Sequence, residues 1–510
     1  MNRLHVRLLV LSLFAVHPAA AFAQDSVTWL AITVVEEDAD VPIPCRIHLR
    51  GSDGKPIRGG RLPFFRDHFV CPGTVELEMA PGEYTYEIER GPEYWAHSGS
   101  LRLLADGTEN VKVRLNRLAD MSSSGWWSGD LHVHRSMEDI ELLMKAEDLH
   151  IVPLITWWNN RNLWSERPMP ENPLVQFDED RSYHIMGGED EREGGALMFF
   201  NLNRPLAITG ASREHPSPMQ FVTEAHRRER VWIDIEKPFW WDVPVWLASG
   251  HADSIGLANN HMCRSQMYET EAWGKPRDTD RLPPPRGNGF WTQEIYYQIL
   301  NCGLRIPPSA GSASGVLPNP VGYNRVYVHL KDGFDYDRWW EGLRAGRSFV
   351  SNGPMLSCRA NGELPGHVFA SRNGEATEIQ LKASVASRDP ISSIEIVRNG
   401  SVIRSIPPEA LNELGELGTL KFTKSGWFLV RSIAKNADTF RFASTAPFYV
   451  EIGNVKHHIS KSSVQFFLDW VRERRERVEL DGPQKRLEVI RHHDSAEKFW
   501  EDLLVEANAD

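Results

Sequence analysis

Several protein classes are excluded by what this 510-residue sequence has little of. Its five cysteines, Cys45, Cys71, Cys263, Cys302 and Cys358, are too few for a disulfide scaffold. None forms a C-x-x-C pair, which excludes a zinc knot or a thioredoxin-type motif. An odd count leaves at least one thiol unpaired, and Cys45 with Cys71 is the one pair close enough in a β-rich segment to bridge. There is no phosphate-cradling P-loop and no G-x-G-x-x-G, so nucleotide cofactors are not expected. The nearest approach to a serine-hydrolase elbow, Gly311 to Gly315, carries Ala313 where the nucleophile would stand. Past the N-terminal segment no apolar stretch approaches the roughly 18 residues of a bilayer-spanning helix. Net positive charge is lacking too: the net charge is −12 and no polybasic run occurs, which argues against nucleic acid or an anionic membrane surface as partner.

Tryptophan, in contrast, is abundant. There are 18, and those between Met121 and Leu300 cluster beside polar residues, which fits either core filling or a pocket for a ring-shaped ligand. Hydrophobic residues at 41% and charged residues at 25% are ordinary globular values, and the length allows about three domains.

Residues 1–23 read as a secretory signal. Arg3 and Arg7 precede the apolar run Leu8 to Val16, and Ala21-Phe22-Ala23 is a small-x-small cleavage site before Gln24. The expected location is therefore secreted or periplasmic, with no later membrane anchor. From 24 to 118, short alternating strands broken by turns such as Pro81-Gly82 predict an antiparallel β-sandwich. It resembles the transthyretin-like or carboxypeptidase-regulatory-like modules attached to secreted enzymes. From 119 to 353, strand and helix patterns alternate, which predicts an α/β domain, a barrel being the natural form. Strands return over 354–455 as a second β-sandwich, with Asn399-Gly400 the strongest hairpin signal, and 456–510 reads as helices.

The chemistry-bearing feature is Gly129-Asp130-Leu131-His132-Val133-His134. Side chains two apart on an extended segment share a face, so His132 and His134 can converge on a divalent metal at a strand end. Among polar residues further along, Glu236, His251, Asp253 and His261 are available to complete a site, His251 and Asp253 being the best placed in a strand-end loop.

These residues bear a family resemblance. Gly129-Asp130-Leu131-His132-Val133-His134, followed by a helix and an apolar strand, is similar to the first motif of the PHP (polymerase and histidinol phosphatase) superfamily, and more narrowly to its CehA/McbA-like branch of exported metallohydrolases. Gly187-Gly188-Glu189, Gly322 to Val328, Trp339 to Arg347 and Phe349 to Pro354 also resemble that branch. The resemblance implies a distorted (β/α)7 barrel flanked by the two β-sandwiches, with metal ligands at the strand ends and Glu189 among them. The chain departs from the pattern at four places, one of them Ala196, which stands where the family carries a His after the glutamate motif. Thr156-Trp157-Trp158-Asn159 stands where the family carries Thr-Asp-His-Asn, Gly311-Ser312-Ala313-Ser314-Gly315 replaces Gly-Ser-Asp-x-His, and Lys237-Pro238 replaces His-Pro. A multinuclear centre is thus not expected.

Three readings follow. In the leading one, His132, His134 and Glu189, with His251 or Asp253, hold one zinc or manganese ion that activates water for attack on an ester or phosphoester, and Asp130 orients a histidine from behind. In the second, catalysis is metal-free and uses Asp190, Glu191, Glu193 and Glu236 with Lys237. In the third, catalysis is lost and Trp157, Trp158, Trp240 and Trp241, with Glu236 and Lys237, line a site for a glycan or another small molecule.

Overall fold

The computed structural model describes residues 28–208, 210–371, 374–411 and 415–510. The secretory signal expected over 1–23 lies outside them. None of the described helices is long and apolar enough to cross a membrane.

The N-terminal region is two sheets around one core. Thr28–Glu36 lies between Thr74–Met79 and Thr108–Leu115 in the first. The second, of five strands, runs from Phe64–Phe65 through His68–Cys71, Cys45–Gly51 and Gly82–Glu89 to His97–Leu103. Period-two alternation drives this packing, sending Leu30, Ile32 and Val34 inward against Ile47, Leu49 and Ile88. One pairing departs from the antiparallel expectation: Thr28–Glu36 runs parallel to Thr108–Leu115.

The expected (β/α)7 barrel is not what the central region forms. Among the described residues there are 28 strands against seven α-helices, too few helices to follow each central strand. Trp126–Gly129, Ile151–Trp158 and Ser182–Arg192 do run parallel in sequence. The next connection, however, is only Glu193-Gly194, and a parallel crossover needs a dozen or more residues, so Gly195–Phe200 folds back as an antiparallel hairpin. Trp232–Ile235 pairs antiparallel to that strand, which restores the original direction, and Ser254–Ala258 and Pro308–Ala310 follow in parallel. Arg325–His329 then pairs antiparallel to both Trp126–Gly129 and Ser348–Ser351, and Ser348–Ser351 pairs with Phe442–Thr445. The central strands are thus hydrogen-bonded onward into C-terminal strands, one mixed β network rather than a ring of repeated βα units.

In the C-terminal region, Met355–Ala360, Thr377–Ala386 and Glu416–Phe422 form a separate three-stranded sheet over a core that includes Ile394, Ile396, Phe428 and Phe448. The Asn399-Gly400 hairpin forms as the sequence predicts. Both residues take positive φ, +47° and +86°, and join Ile391–Arg398 to Ser401–Ile406. The final helices, Lys461–Glu476 and Pro483–Val505, cover the short helix Val243–Ala248. Trp500 donates its indole N–H to the Pro244 carbonyl at 3.0 Å. The Arg474 guanidinium, buried, reaches Asp242 and Glu214, each at 2.6 Å at its closest.

Strand direction positions the site. Trp126–Gly129, Ile151–Trp158, Ser182–Arg192, Trp232–Ile235, Ser254–Ala258 and Pro308–Ala310 all point the same way. Their carboxyl-terminal portions carry Trp158 and Glu189, and the segments leaving them carry His132, His134 and Glu236.

Candidate metal centre

The segment after Trp126–Gly129 is pinned before it carries chemistry. Asp130, fully buried, accepts the backbone N–H groups of His132 (3.1 Å), Ser312 (3.0 Å) and Gly322 (2.7 Å). Burial pushes its carboxyl up to about 6, against the pull of those hydrogen bonds. Asp130 thus meets His132 through the main chain, not through the imidazole as its expected orienting role required. Val133 bridges Leu154 and Ser314 and points into the core, which turns His132 and His134 to the opposite face together.

Their Nε2 atoms stand 2.9 Å apart. Glu189, on Ser182–Arg192, brings Oε2 to 3.1 Å from His134 Nε2 and 3.5 Å from His132 Nε2. That oxygen is buried and makes no hydrogen bond. Three atoms able to ligate a metal therefore converge within 3.5 Å of one another. Bonds of about 2.0–2.2 Å at tetrahedral angles give ligand–ligand edges of about 3.3–3.6 Å; of the three edges here only that between His132 and Glu189, 3.5 Å, lies in that range, and the other two, 2.9 and 3.1 Å, must open by a few tenths of an ångström to seat an ion. Among the described residues, His132, His134 and Glu189 are a group that could hold a metal ion. The same is true of His48 with Asp67 and His68, and of His48 with Glu87 and Glu89, in the N-terminal region. There, however, Arg46 donates to His48 Nε2 at 3.2 Å and occupies that lone pair.

Glu236 is the partner that orients a histidine. Its Oε1 lies 3.3 Å from His132 Nδ1, so the imidazole carries its proton on Nδ1 and turns Nε2 toward the centre. Glu236 is itself fixed by Lys237 Nζ, 2.5 Å from each carboxylate oxygen, by Trp240 Nε1 (3.0 Å) and by Asn260 Nδ2 (2.5 Å). Burial opposes the imidazolium of His132, but Glu189 and Glu236 outweigh it and hold its pKa up at about 10. Burial lowers His134 in spite of the same carboxylate. Burial also raises Glu191 to about 7, with the charges of Glu189 and Glu236 adding to it.

The other expected residues fall elsewhere. His251 and Asp253 precede Ser254–Ala258 and so sit at its amino end, away from the cluster. His251 stacks on His226 with ring centroids 3.9 Å apart, and Asp253 accepts from Ile233 N (2.8 Å) and Arg344 (2.5 Å). Trp157 is buried against Phe199, and Trp240 and Trp241 are buried as well, so none of the three offers a face for stacking. Trp158 alone of the four has its ring beside the histidines, 5.1 Å from that of His134, while Trp240 reaches the site only through its indole N–H to Glu236. Of the carboxylates considered for metal-free chemistry, Asp190 is held by Arg192 at 2.6 Å and Glu193 by Arg213 at 2.8 Å. Asn260 was not foreseen, although the polar Asn259-Asn260-His261 run directly after an apolar strand marks a strand-end loop.

No family model matches the chain, and no curated protein matches it. Three solved structures resemble parts of it. The minor pilin GBS52 of Streptococcus agalactiae is 18% identical over 19% of this chain and 46% of its own, with a TM-score of 0.17. The Bacillus anthracis TIE protein is 16% identical over 22% of this chain and 19% of its own, with a TM-score of 0.15. Fibronectin(III)-like modules of Clostridium thermocellum CbhA are 21% identical over 19% of this chain and 96% of their own, with a TM-score of 0.13. The chain thus spans less than half the length of the pilin and about a fifth of the TIE protein. Scores this low carry neither fold nor function across.

Proposed function

We propose that the protein is an exported, metal-dependent hydrolase of the PHP superfamily that acts on an ester or phosphoester of a small molecule or carbohydrate. One divalent ion, zinc or manganese, is held by His132, His134 and Glu189. The observation that carries this reading is the buried Oε2 of Glu189, which lacks a hydrogen bond and faces two imidazole nitrogens at 3.1 and 3.5 Å. Three metal-ligating atoms held together in a buried pocket are a costly arrangement that a cation bound among them would compensate.

An ion bound there supplies Lewis acidity toward water and toward a carbonyl or phosphoryl oxygen. The chain's own residues do the rest. Glu236 keeps His132 in the Nδ1–H form, and Lys237 and Asn260 keep Glu236 in place. Asp130 holds the backbone of the histidine segment. Trp158 lends an apolar wall beside His134. The motif resemblance to the CehA/McbA-like branch supports the reaction class, and the burial of three of the four tryptophans removes the main support for a glycan platform.

The test is elemental analysis of the purified protein beside His132→Ala/His134→Ala, followed by assay against chromogenic esters and phosphoesters. About one equivalent of zinc or manganese, absent from the variant, is expected. No metal in the wild type after reloading with either ion overturns the reading.

A further inference from the structure

A second polar site lies where the three regions of the chain meet. A cavity of about 60 Å³ is lined by five guanidinium groups, those of Arg46, Arg264, Arg325, Arg388 and Arg441. The carboxylates among its lining residues are only three, Glu89, Glu147 and Asp389. A water needs roughly 10–15 Å³ by the same measure, so the space holds a few waters or one small tetrahedral anion.

Much of the arginine charge is spent on structure. Arg46 pairs with Glu89 and Glu147, Arg388 with Glu89 and the carbonyls of Gly91 and Tyr94, and Arg264 with Glu89 and, beyond the cavity, Glu87. Three donors on lining residues are buried and lack a well-aligned hydrogen bond: Nη1 of Arg325, whose side chain reaches the Tyr327 hydroxyl, and Nε of Arg441 and the hydroxyl of Tyr323, whose side chains contact each other. Arg325 is 1% exposed, and its other two nitrogens are committed to the carbonyls of Gly322 (2.5 Å) and Glu147 (3.2 Å). Arg441 likewise uses its remaining nitrogens on Asp389 (2.5 Å) and the Arg264 carbonyl (2.7 Å). An incompletely satisfied buried donor is destabilising, and three of them on residues lining one net-positive cavity favour a shared acceptor with several oxygens.

We propose that this cavity is a binding site for a small tetrahedral oxyanion, phosphate or sulfate, free or as the terminal group of a larger ligand, which Arg325, Arg441 and Tyr323 hold at the junction of the N-terminal, central and C-terminal regions. The site is separate from the histidine cluster and does not depend on the function proposed above. Arg46 comes from the N-terminal sheet, Arg325 from the central strands, and Arg388 and Arg441 from the C-terminal region, so the anion ties all three together.

The experiment is isothermal titration of inorganic phosphate and of sulfate into full-length protein stripped of metal with chelator and returned to chloride buffer at constant ionic strength. Saturable one-to-one binding with Kd below about 1 mM, with phosphate and sulfate competing, is expected. Arg441→Gln is expected to weaken it about tenfold or more. Tyr323→Phe removes a single hydroxyl and provides a milder variant should Arg441→Gln fail to fold; a loss of a few-fold is expected there. His132→Ala/His134→Ala is expected to bind as the wild type does. Competition by glycerol phosphate identifies an anion on a larger ligand, and exclusion of it identifies the free ion. Absence of saturable binding up to about 20 mM of either anion overturns the proposal. So does binding that survives in both Arg441→Gln and Tyr323→Phe but disappears in the double-histidine variant, which would put the anion at the metal centre.

Discussion

Substituting Glu236 by glutamine separates what that residue does for the fold from what it does for the metal centre. Glu236 is buried and surrounded by donors: Lys237 at 2.5 Å from each oxygen, Asn260 at 2.5 Å, Trp240 at 3.0 Å and His132 Nδ1 at 3.3 Å. The Lys237 and His132 charges hold its carboxyl well below the usual range despite burial, so it is ionised throughout the range in which the protein is handled. Glutamine keeps the shape and removes the charge. The Lys237 ammonium, only 3% exposed, then has no carboxylate partner. Breaking one side of a buried pair in this way destabilises by roughly 3–5 kcal/mol, because an uncompensated cation remains in the interior.

Removing both charges tests the cause. In Glu236→Gln/Lys237→Met no buried cation is left over, and replacing a whole buried pair is often close to neutral, so stability is expected to return to within about 1.5 kcal/mol of wild type. Metal affinity is not expected to return with it. His132 loses the carboxylate that fixes its tautomer and ring angle in both variants, and loss of such a partner weakens metal binding roughly 10–100-fold. Urea unfolding of the metal-free proteins reads the first quantity, and competition for zinc against a chromophoric chelator reads the second. Wild-type zinc affinity in the double variant would refute the orienting role of Glu236. A loss below about 1 kcal/mol in the single variant would refute the description of Lys237 as a buried, singly compensated cation.

Other outcomes follow from single contacts. A β-carbon added at Gly188 would stand 1.7 Å from the Trp157 ring, so Gly188→Ala is expected to cost at least about 2 kcal/mol in urea unfolding and to displace the adjacent Glu189, with Gly188→Ala/Trp157→Leu less destabilised than the sum of its parts. Burial lowers His150 to about 3, with Asp148 opposing and Arg181, Arg325 and Arg90 adding to the shift; its Nδ1 lies 3.2 Å from the Ser128 N–H, which it accepts only when unprotonated. Because the folded value lies below the unfolded one of about 6.5, stability is unaffected above that pH and falls on acidification toward about 3, by up to about 1.4 kcal/mol per pH unit; His150→Gln is expected to flatten the slope of urea stability between pH 6.5 and 4.5, and an unchanged slope would refute the assignment. Cys45 and Cys71 face each other in register across antiparallel strands, both buried with free thiols, so mild oxidation is expected to leave three of the five cysteines open to alkylation after unfolding without reductant; five would refute the pairing.

The parts of the site legible in sequence are those governed by short-range periodicity. His132 and His134 share a face because Val133 between them is committed to the core, and a spacing of two is enough to read this. The same rule explains the tryptophans: adjacent residues on a strand point to opposite faces, so Trp157 takes the core beside Phe199 while Trp158 takes the site. Glu189 was accessible only through the resemblance carried by Gly187-Gly188-Glu189, since an acidic run by itself reads as a solvated loop. What failed was everything that depends on which way a strand runs. His251 and Asp253 have suitable side chains in a plausible loop, but they enter Ser254–Ala258 rather than leave it, which places them at the far end of the sheet from the histidines. The barrel expectation failed for a related reason: apolar periodicity marks 182–186 and 196–202 as strands without saying that the first runs on to Arg192, which leaves two residues and no room for a crossover helix. Glu236 lies between these cases. Its polar position directly after an apolar strand was visible, but its partner, the back of His132, is set by two strands that meet only in the folded sheet. A residue that binds the ion and a residue that aims it can therefore look alike in sequence, and the contact to Nδ1 rather than Nε2 is what assigns Glu236 to the second role.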